Sequence, residues 1–483
     1  MTRRFLVAIA ALTVLRFAAA ALLPLSADEA YYWLWSRHLA AGYYDHPPAI
    51  AYAIRAGTLL FGATPLGVRF GPLLLSVLAS ALVWRGGAIL LQDEAAGARA
   101  CLFFNLTLMV SVETLAATPD APAVAAAAAV LYALAKVDRT GKGAWWLAVG
   151  LAAGLGLLSK YTGFFLGAGI FVWLLLSPKA RAWLFTAWPY LGGALALFVF
   201  LPNLMWNASH GWLTFAFQFG RIAEGHFTLR FLFEFLGAQI LLATPFIFLL
   251  AALALAFRAR DRDSTTFLLA ALVFPSALYF LIHSLHDRIQ GNWPSFLYPA
   301  LAIAAAQAWS LQEWHGWTAP VWRFSRRAAT PVAAVLLLAV YAQALFGVIP
   351  FGRGDPLARL LGVGFDGVAQ TVAQARADNR AAAIVTTDYA STAWFSFYLP
   401  GPVIQLNEPQ RYPDAAIPQP ALLSQPLLYV VEQRLAKPDV LAPHFASVRE
   451  VGGFDRLRRG VPIAHYLIYR VAGWHGPALG RMP

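Results

Sequence analysis

Four short motifs carry side chains able to do chemistry in a chain that is otherwise strongly apolar. Asp28-Glu29 opens the stretch DEAYYWLWSRHLAAGYY, and Asp45-His46 leads into Pro47-Pro48 within YYDHPP. Asp120 lies between two prolines in TPDAP, and Lys160 closes GLLSK. A carboxylate held near a hydroxyl can take its proton. A lysine is a compact point charge suited to an anionic group such as a phosphate. A histidine beside a carboxylate is held partly cationic and can meet the same kind of group. Each motif also has a plainer reading. Asp28 and Glu29 can cap a helix lying on a membrane surface, with Tyr31, Tyr32, Trp33 and Trp35 as its interfacial anchor. Asp120 can be another helix cap, Lys160 can snorkel to the interface, and the prolines can simply fix a turn. A divalent cation held by Asp28, Asp45 and His46 is conceivable, although no dense ligand spacing supports one.

The elements that must position these residues are membrane spans. The chain has 483 residues, of which 59% are hydrophobic and only 12% charged, against about 25% charged in ordinary soluble domains. Runs of ~20 mainly apolar residues cross a bilayer as helices. The sequence predicts about eleven of them, near residues 5–23, 66–91, 97–117, 119–137, 143–159, 161–177, 183–202, 231–257, 266–283, 293–310 and 330–350. The first run can pass for a secretory signal peptide, but further spans follow and an uncleaved first helix does the same targeting. Cys101 is the only cysteine, so neither an intrachain disulfide nor a cysteine-based metal site within one chain is expected.

Charge placement sets the orientation. With the N-terminus in the cytoplasm, Arg3, Arg4, Arg99, Lys136, Arg139, Lys142, Lys179, Arg181 and the clusters at 258–262 and 323–327 all fall inside. The net charge of +12 is then mainly a topology label, and no nucleic-acid partner is implied. The reactive motifs collect on the opposite, outer face. Two longer outer segments join them: 203–230, with His210-Gly211-Trp212 and Arg221, and 283–293, with His283, His286 and Asp287. These last three resemble a metal cluster but read more simply as solvated loop residues. Beyond Pro350 charges return and short strand-like stretches appear at Ala382–Thr386, Leu427–Val431 and Tyr466–Tyr469, with a helix over Asp366–Arg376. The expected architecture is a mainly α polytopic membrane domain, residues 1–350, followed by a small extracytoplasmic α/β domain, residues 351–483.

The motif order resembles a known family. DE just after the first span, DHPP in the same outer loop, an aspartate in the next outer turn, and the motifs LLSKYTG and GNWPSFLYPA are similar to the polyprenyl-phosphate-sugar glycosyltransferases of GT-C fold. That family, glycosyltransferase family 39 in its bacterial branch, includes protein O-mannosyltransferases and the aminoarabinose transferases of lipid A. The resemblance implies that Asp28 is the catalytic base or acceptor-orienting acid, with Glu29 its companion and Asp120 a second acid. It places His46 near the donor phosphate and Lys160 on the lipid phosphate. The chemistry adds Arg221 as a further phosphate cation, and Tyr44, Asp45, Tyr161 and His210 as pocket residues. Attack by an acceptor hydroxyl opposite the leaving phosphate implies inversion at the anomeric carbon, with no nucleotide and no cofactor. The expected partners are a polyprenyl-phosphate sugar, membrane lipids and a lipid or protein acceptor. A lipid acceptor is favoured, because the MIR-type domain that accompanies protein O-mannosyltransferases is not evident. The resemblance implies a bacterial inner membrane location, with the site on the periplasmic side. A transporter is the rival from another class, but it would place ionisable residues at mid-span on repeated, broken helices.

Overall fold

A computed structural model describes residues 2–113, 115–220, 226–257, 263–412, 420–437, 439 and 441–476. Helices occupy the chain as far as Phe346, and a five-stranded sheet follows. Among the described residues, six helices are long and apolar enough to cross a membrane, and two sharply bent pairs bring the number to eight. The protein is a multi-pass membrane protein with a small sheet domain after its last long helix.

Several expected spans are shorter or broken. The run near 231–257 forms Arg230–Leu242 and Pro245–Phe257, bent by 104°. Thr244 at the corner has φ +61°, an unfavourable conformation for a β-branched residue, and the proline after it disfavours continued helix. The run near 97–117 ends its main helix at Leu106, because Thr107 leaves helical geometry at ψ 138° before the short helix Leu108–Glu113. The carbonyl freed at Asn105 accepts from Arg16 Nη2 at 2.8 Å and from Ser111 Oγ at 2.8 Å. Thirteen-residue helices such as Glu94–Leu106 and Tyr298–Ser310 reach only about 20 Å, short of a ~30 Å hydrocarbon layer. Length therefore does not support eleven full spans.

Small residues let the helices approach closely. Gly150 on Trp145–Leu157 faces Gly192 on Trp188–Ser209, and a Cβ at either would run into the other helix's backbone, the small-residue packing common in membranes. At the helix ends remote from Asp120, Arg139 donates to Leu90 O at 2.8 Å and Lys179 pairs with Asp138 at 2.9 Å. The cationic and the reactive residues thus occupy opposite ends of Asp120–Thr140.

The sheet has the order β2-β1-β3-β5-β4, with β1 Ile384–Thr386, β2 Val403–Gln405, β3 Leu427–Glu432, β4 Phe445–Arg458 and β5 Val461–Trp474. β2, β1 and β3 run parallel, and β5 runs antiparallel to both of its neighbours, β3 and β4. Helix Tyr389–Tyr398 connects β1 to β2. The β4–β5 hairpin turns on Arg459 and Gly460, both at positive φ, as a two-residue primed turn requires. The predicted strands and helix are present, with β2 and β4 added.

One core unites this sheet domain with the loop region after the first helix. Tyr31, Trp35, Phe365, Phe395 and Trp394 share a buried cluster. Trp394 Nε1 donates to Leu25 O at 3.0 Å, Gly362 N donates to the same carbonyl at 2.8 Å, and Phe397 meets Trp33 edge-on at 4.9 Å. The aromatic band at 31–35 is therefore no lipid anchor. Tyr31 and Trp35 are 0% exposed: Tyr31 packs on Tyr389 and Tyr412 of the sheet domain, and Trp35 packs on Tyr31 and Tyr43.

Candidate active site

At the end of the helical bundle beneath the sheet domain lies a cavity of about 550 Å³. Asp28, Asp45, His46, Asp120, Lys160 and Tyr161 all line it. Residues as far apart in sequence as Asp28 and Tyr161 thus share one space because the loop after the first helix, the turn at 118–120 and the turn at 158–161 meet at the same end. Glu29, Tyr44 and His210 stand behind or away from the wall, and Arg221 lies outside the described residues.

Asp28 sits in the first turn of Ala27–Arg37, but it does not cap that helix. Ser26 does, in a reciprocal capping box with Glu29, which satisfies two otherwise orphaned backbone donors. Glu29 is wholly buried, and Arg69 grips it with Nε to Oε1 at 2.6 Å and Nη2 to Oε2 at 2.7 Å. Arg69 spends its remaining donors on the carbonyls of Ala20, Leu23 and Pro24, the end of the first helix. Glu29 also accepts from Ala117 N at 3.1 Å. It is the bolt that fixes the Asp28 turn against two spans and the Asp120 loop, rather than a group facing substrate. Burial alone would raise the Glu29 pKa, but the Arg69 charge and its hydrogen bonds outweigh burial and hold it below the usual range.

Asp28 itself opens into the cavity. Its Oδ1 accepts from the Tyr389 hydroxyl at 2.9 Å. Although its side chain is open to the cavity, crowding by protein atoms and the charges of Glu29 and Asp120 raise its pKa, and the Tyr389 hydrogen bond opposes that rise. A carboxylate raised in this way is a better proton acceptor near neutral pH than an ordinary one.

The YYDHPP loop is held at both ends. Tyr43 stacks on Trp35 at 4.3 Å, and its carbonyl accepts from Thr214. Pro48 precedes helix Ala49–Phe61, and Ala49 N donates to Leu158 O at 3.0 Å, next to the Lys160 turn. Gln218 Nε2 donates to Asp45 O and lies 3.4 Å from His46 Nδ1. Arg411, from the sheet domain, pairs with Asp45 at 3.3 Å and lies over the rings of Tyr44, Phe217 and Tyr389. Tyr44 thus serves as a platform for Arg411. His210 stacks on Trp206 at 4.1 Å and stays exposed, away from the cavity.

Asp120 begins its helix, yet its oxygens do not cap it. Oδ1 accepts from Lys160 Nζ at 2.8 Å and from the Ser295 hydroxyl, and Oδ2 accepts from Asn292 Nδ2 at 2.8 Å. Asn292 and Ser295 belong to GNWPSFLYPA, so that motif serves to orient Asp120. Lys160 is only 7% exposed and does not snorkel. A desolvated lysine against one carboxylate can exchange part of that pairing for a more highly charged anion, such as a phosphate entering the cavity. Tyr161, beside it, donates to Asn203 at 2.9 Å and orders the wall.

The loop after His283 behaves differently from its expected solvated role. His283 is buried, stacks on Tyr279 and lines the cavity, whereas His286 is exposed. Asp28, Asp45 and His46 border one cavity, but among the described residues no three His, Cys, Asp or Glu side chains converge as a metal ligand set. Sequence reasoning missed Arg69, Gln218, Tyr389 and Arg411. The first is an arginine inside an apolar helix, a readable signal of a buried carboxylate partner. The others sit in ordinary contexts, and only the fold brings them in. Glu113, which accepts from Thr118 Oγ1 at 3.0 Å, is a further carboxyl close to Asp120 in the same region.

Known proteins share parts of this chain's sequence and its fold. Residues 45–206 match the family described as dolichyl-phosphate-mannose-protein mannosyltransferase. The chain is 30% identical over 282 residues to the lipid A galacturonosyltransferase RgtD of Rhizobium johnstonii, covering 58% of this chain and 59% of that one. It is 34% identical over 135 residues to the undecaprenyl phosphate-alpha-4-amino-4-deoxy-L-arabinose arabinosyl transferase 1 of Sodalis glossinidius, covering 26% and 24% of the two chains. The alignments therefore span less than two thirds of either relative. Among solved structures, ArnT from Cupriavidus metallidurans superposes with a TM-score of 0.65 at 16% identity, over 97% of this chain and 98% of that one. Its undecaprenyl-phosphate-bound form gives 0.65 at 17% identity, over 96% and 97%. The chain has the GT-C membrane fold of ArnT, and the resemblance read from its motifs to polyprenyl-phosphate-sugar glycosyltransferases is met by the family model and by both relatives.

Proposed function

We propose that this protein is an inverting glycosyltransferase that moves a sugar from a polyprenyl phosphate to an envelope glycolipid, lipid A or its core being the favoured acceptor. The observation that carries this reading is the meeting of a carboxylate held by one hydrogen bond, Asp28, and a buried lysine, Lys160, in one cavity at the end of a membrane bundle. The acceptor oxygen attacks the anomeric carbon while the bond from that carbon to the phosphate oxygen breaks. The electron pair leaves on the phosphate, where Lys160 and His46 stabilise the charge, and the acceptor proton passes to Asp28. Holding both lipids in one cavity supplies proximity. The positive charge is assigned to side chains rather than to a divalent cation. The positive-inside pattern supports a bacterial inner membrane with the site and the sheet domain on the periplasmic side.

The relatives' names suggest the first donors to try. Purified full-length protein in lipid nanodiscs is offered undecaprenyl-phosphate-linked galacturonate or 4-amino-4-deoxy-L-arabinose with lipid A as acceptor. Transfer with inversion supports the reading, and no transfer of either sugar contradicts it in this form. A protein O-mannosyltransferase activity is the second reading, favoured by the matched family description. Labelled mannose appearing on protein instead of glycolipid would select it.

A further inference from the structure

The cavity is not closed by the membrane helices alone. The helix after β1 presents Tyr389 at its first position, the turn after β2 presents Arg411, and both residues line the cavity. Helix Tyr389–Tyr398 lies along Ala27–Arg37, with Tyr389 meeting Tyr31 at 4.8 Å and Phe397 meeting Trp33 at 4.9 Å. Tyr31 in turn donates to Arg411 O at 2.9 Å. The two elements that carry the Asp28–Tyr389 hydrogen bond are therefore locked together by an aromatic interface. Among the described residues, Tyr389 holds Asp28 Oδ1 and Asp28 Oδ2 has no hydrogen-bond partner, while Asp28 lines the cavity.

We propose that Tyr389 is a positioning residue for the sugar-transfer reaction: the sheet domain delivers its hydroxyl to Asp28 Oδ1, which orients the carboxylate so that Oδ2 meets the acceptor hydroxyl. The inference rests on the glycosyltransferase reading with Asp28 as base, and it gives the sheet domain a direct part in the site. A carboxylate on a short side chain has a rotatable terminal torsion. A single hydrogen bond from a rigidly seated donor both fixes that torsion and favours the ionised form. Arg411 acts in parallel on the neighbouring loop, tying Asp45 to the same domain.

The consequence has a sign. Asp28 must be ionised to accept a proton, so activity falls on the acid side as it protonates. The groups that bear on its charge are Glu29, Asp120 and Glu113, which disfavour ionisation, and Arg411 and Tyr389, which favour it; Tyr32 also lies close. Removing the Tyr389 hydroxyl withdraws one favourable term and moves the acid limb to higher pH.

The test compares wild-type and Tyr389→Phe full-length protein in nanodiscs, with the undecaprenyl-phosphate sugars and lipid A used above, across a pH series. We expect kcat/KM to fall on the order of tenfold at neutral pH, with the KM for donor unchanged. The acid limb should rise by about one pH unit. The folded fraction is measured at each pH, because acid unfolding of a destabilised variant would also raise the limb. Phe397→Leu, which loosens the same interface through Trp33 but keeps the Tyr389 hydroxyl, should move the midpoint by less than Tyr389→Phe does. Turnover in Tyr389→Phe with an unmoved limb, or a larger shift in Phe397→Leu than in Tyr389→Phe, overturns this inference alone. Absence of turnover by the wild type overturns the glycosyltransferase reading and this inference with it.

Discussion

At the scale of single residues, the site is a small set of charges with divided duties. Lys160 is desolvated and shares Asp120 with Asn292 and Ser295, so Asp120 keeps two partners when Lys160 is removed. Lys160→Ala should therefore fold and weaken donor binding, raising the donor KM about tenfold or more. Steady-state kinetics over a donor series reads this directly. A fall confined to kcat, with donor KM unchanged, would show that Lys160 does not hold the phosphate. Asp28, Asp45, His46, Asp120, Lys160 and Tyr161 were legible in the sequence because each is a polar residue beside a long apolar run, where its presence calls for a reason. Tyr389 and Arg411 were not, because a tyrosine or arginine in a soluble α/β domain is unremarkable until the fold lays that domain on the bundle. His210 and Tyr44 carried the same local signal as the true lining residues. Their side chains turn to Trp206 and Arg411 instead, a matter of direction that spacing does not encode.

At the scale of elements, the Asp28 turn is placed by a buried ion pair. Glu29 and Arg69 are 0% and 1% exposed, and between them they join the first helix, helix Pro65–Leu91 and the loop before Asp120. Removing one partner strands the other's charge in a dry site, at a cost of several kcal/mol. Glu29→Gln should lower stability by about 3 kcal/mol, seen as a reduced unfolding midpoint in detergent. An unchanged midpoint would show that the pair does not brace the turn. The pH dependence has a definite sense. The folded pKa of Glu29 lies below its ordinary value, so its contribution is present at neutral pH and is lost as pH falls through that depressed value. The spans were readable from apolar runs, but their breaks were not all so. The corner at Thr244-Pro245 has a proline to announce it. The break at Thr107 has none, and depends on Arg16 reaching across from another helix.

At the scale of the whole molecule, the membrane bundle and the sheet domain share a core, and the cavity lies where they meet. The small α/β domain was visible as a change in composition after Pro350, yet its role was not, since strand and helix patterns say nothing about which surface a domain covers. Its proposed periplasmic location follows from the basic helix ends at the far side of the bundle. Arg449→Cys, on the exposed face of β4, should react with a membrane-impermeant maleimide in intact spheroplasts. The buried Cys101 gives no competing signal. Labelling only after lysis would reverse the orientation.

The central claim is that this bundle transfers a sugar to an envelope lipid with Asp28 as base. It is tested most directly by mass spectrometry of glycolipids and glycoproteins from three strains: wild type, a deletion, and the deletion carrying Asp28→Asn at normal protein level. The account predicts that one sugar is missing from the same glycolipid in both mutants, the mass difference identifying that sugar. Full restoration of the glycolipid by Asp28→Asn, or glycans identical in all three strains, would contradict it.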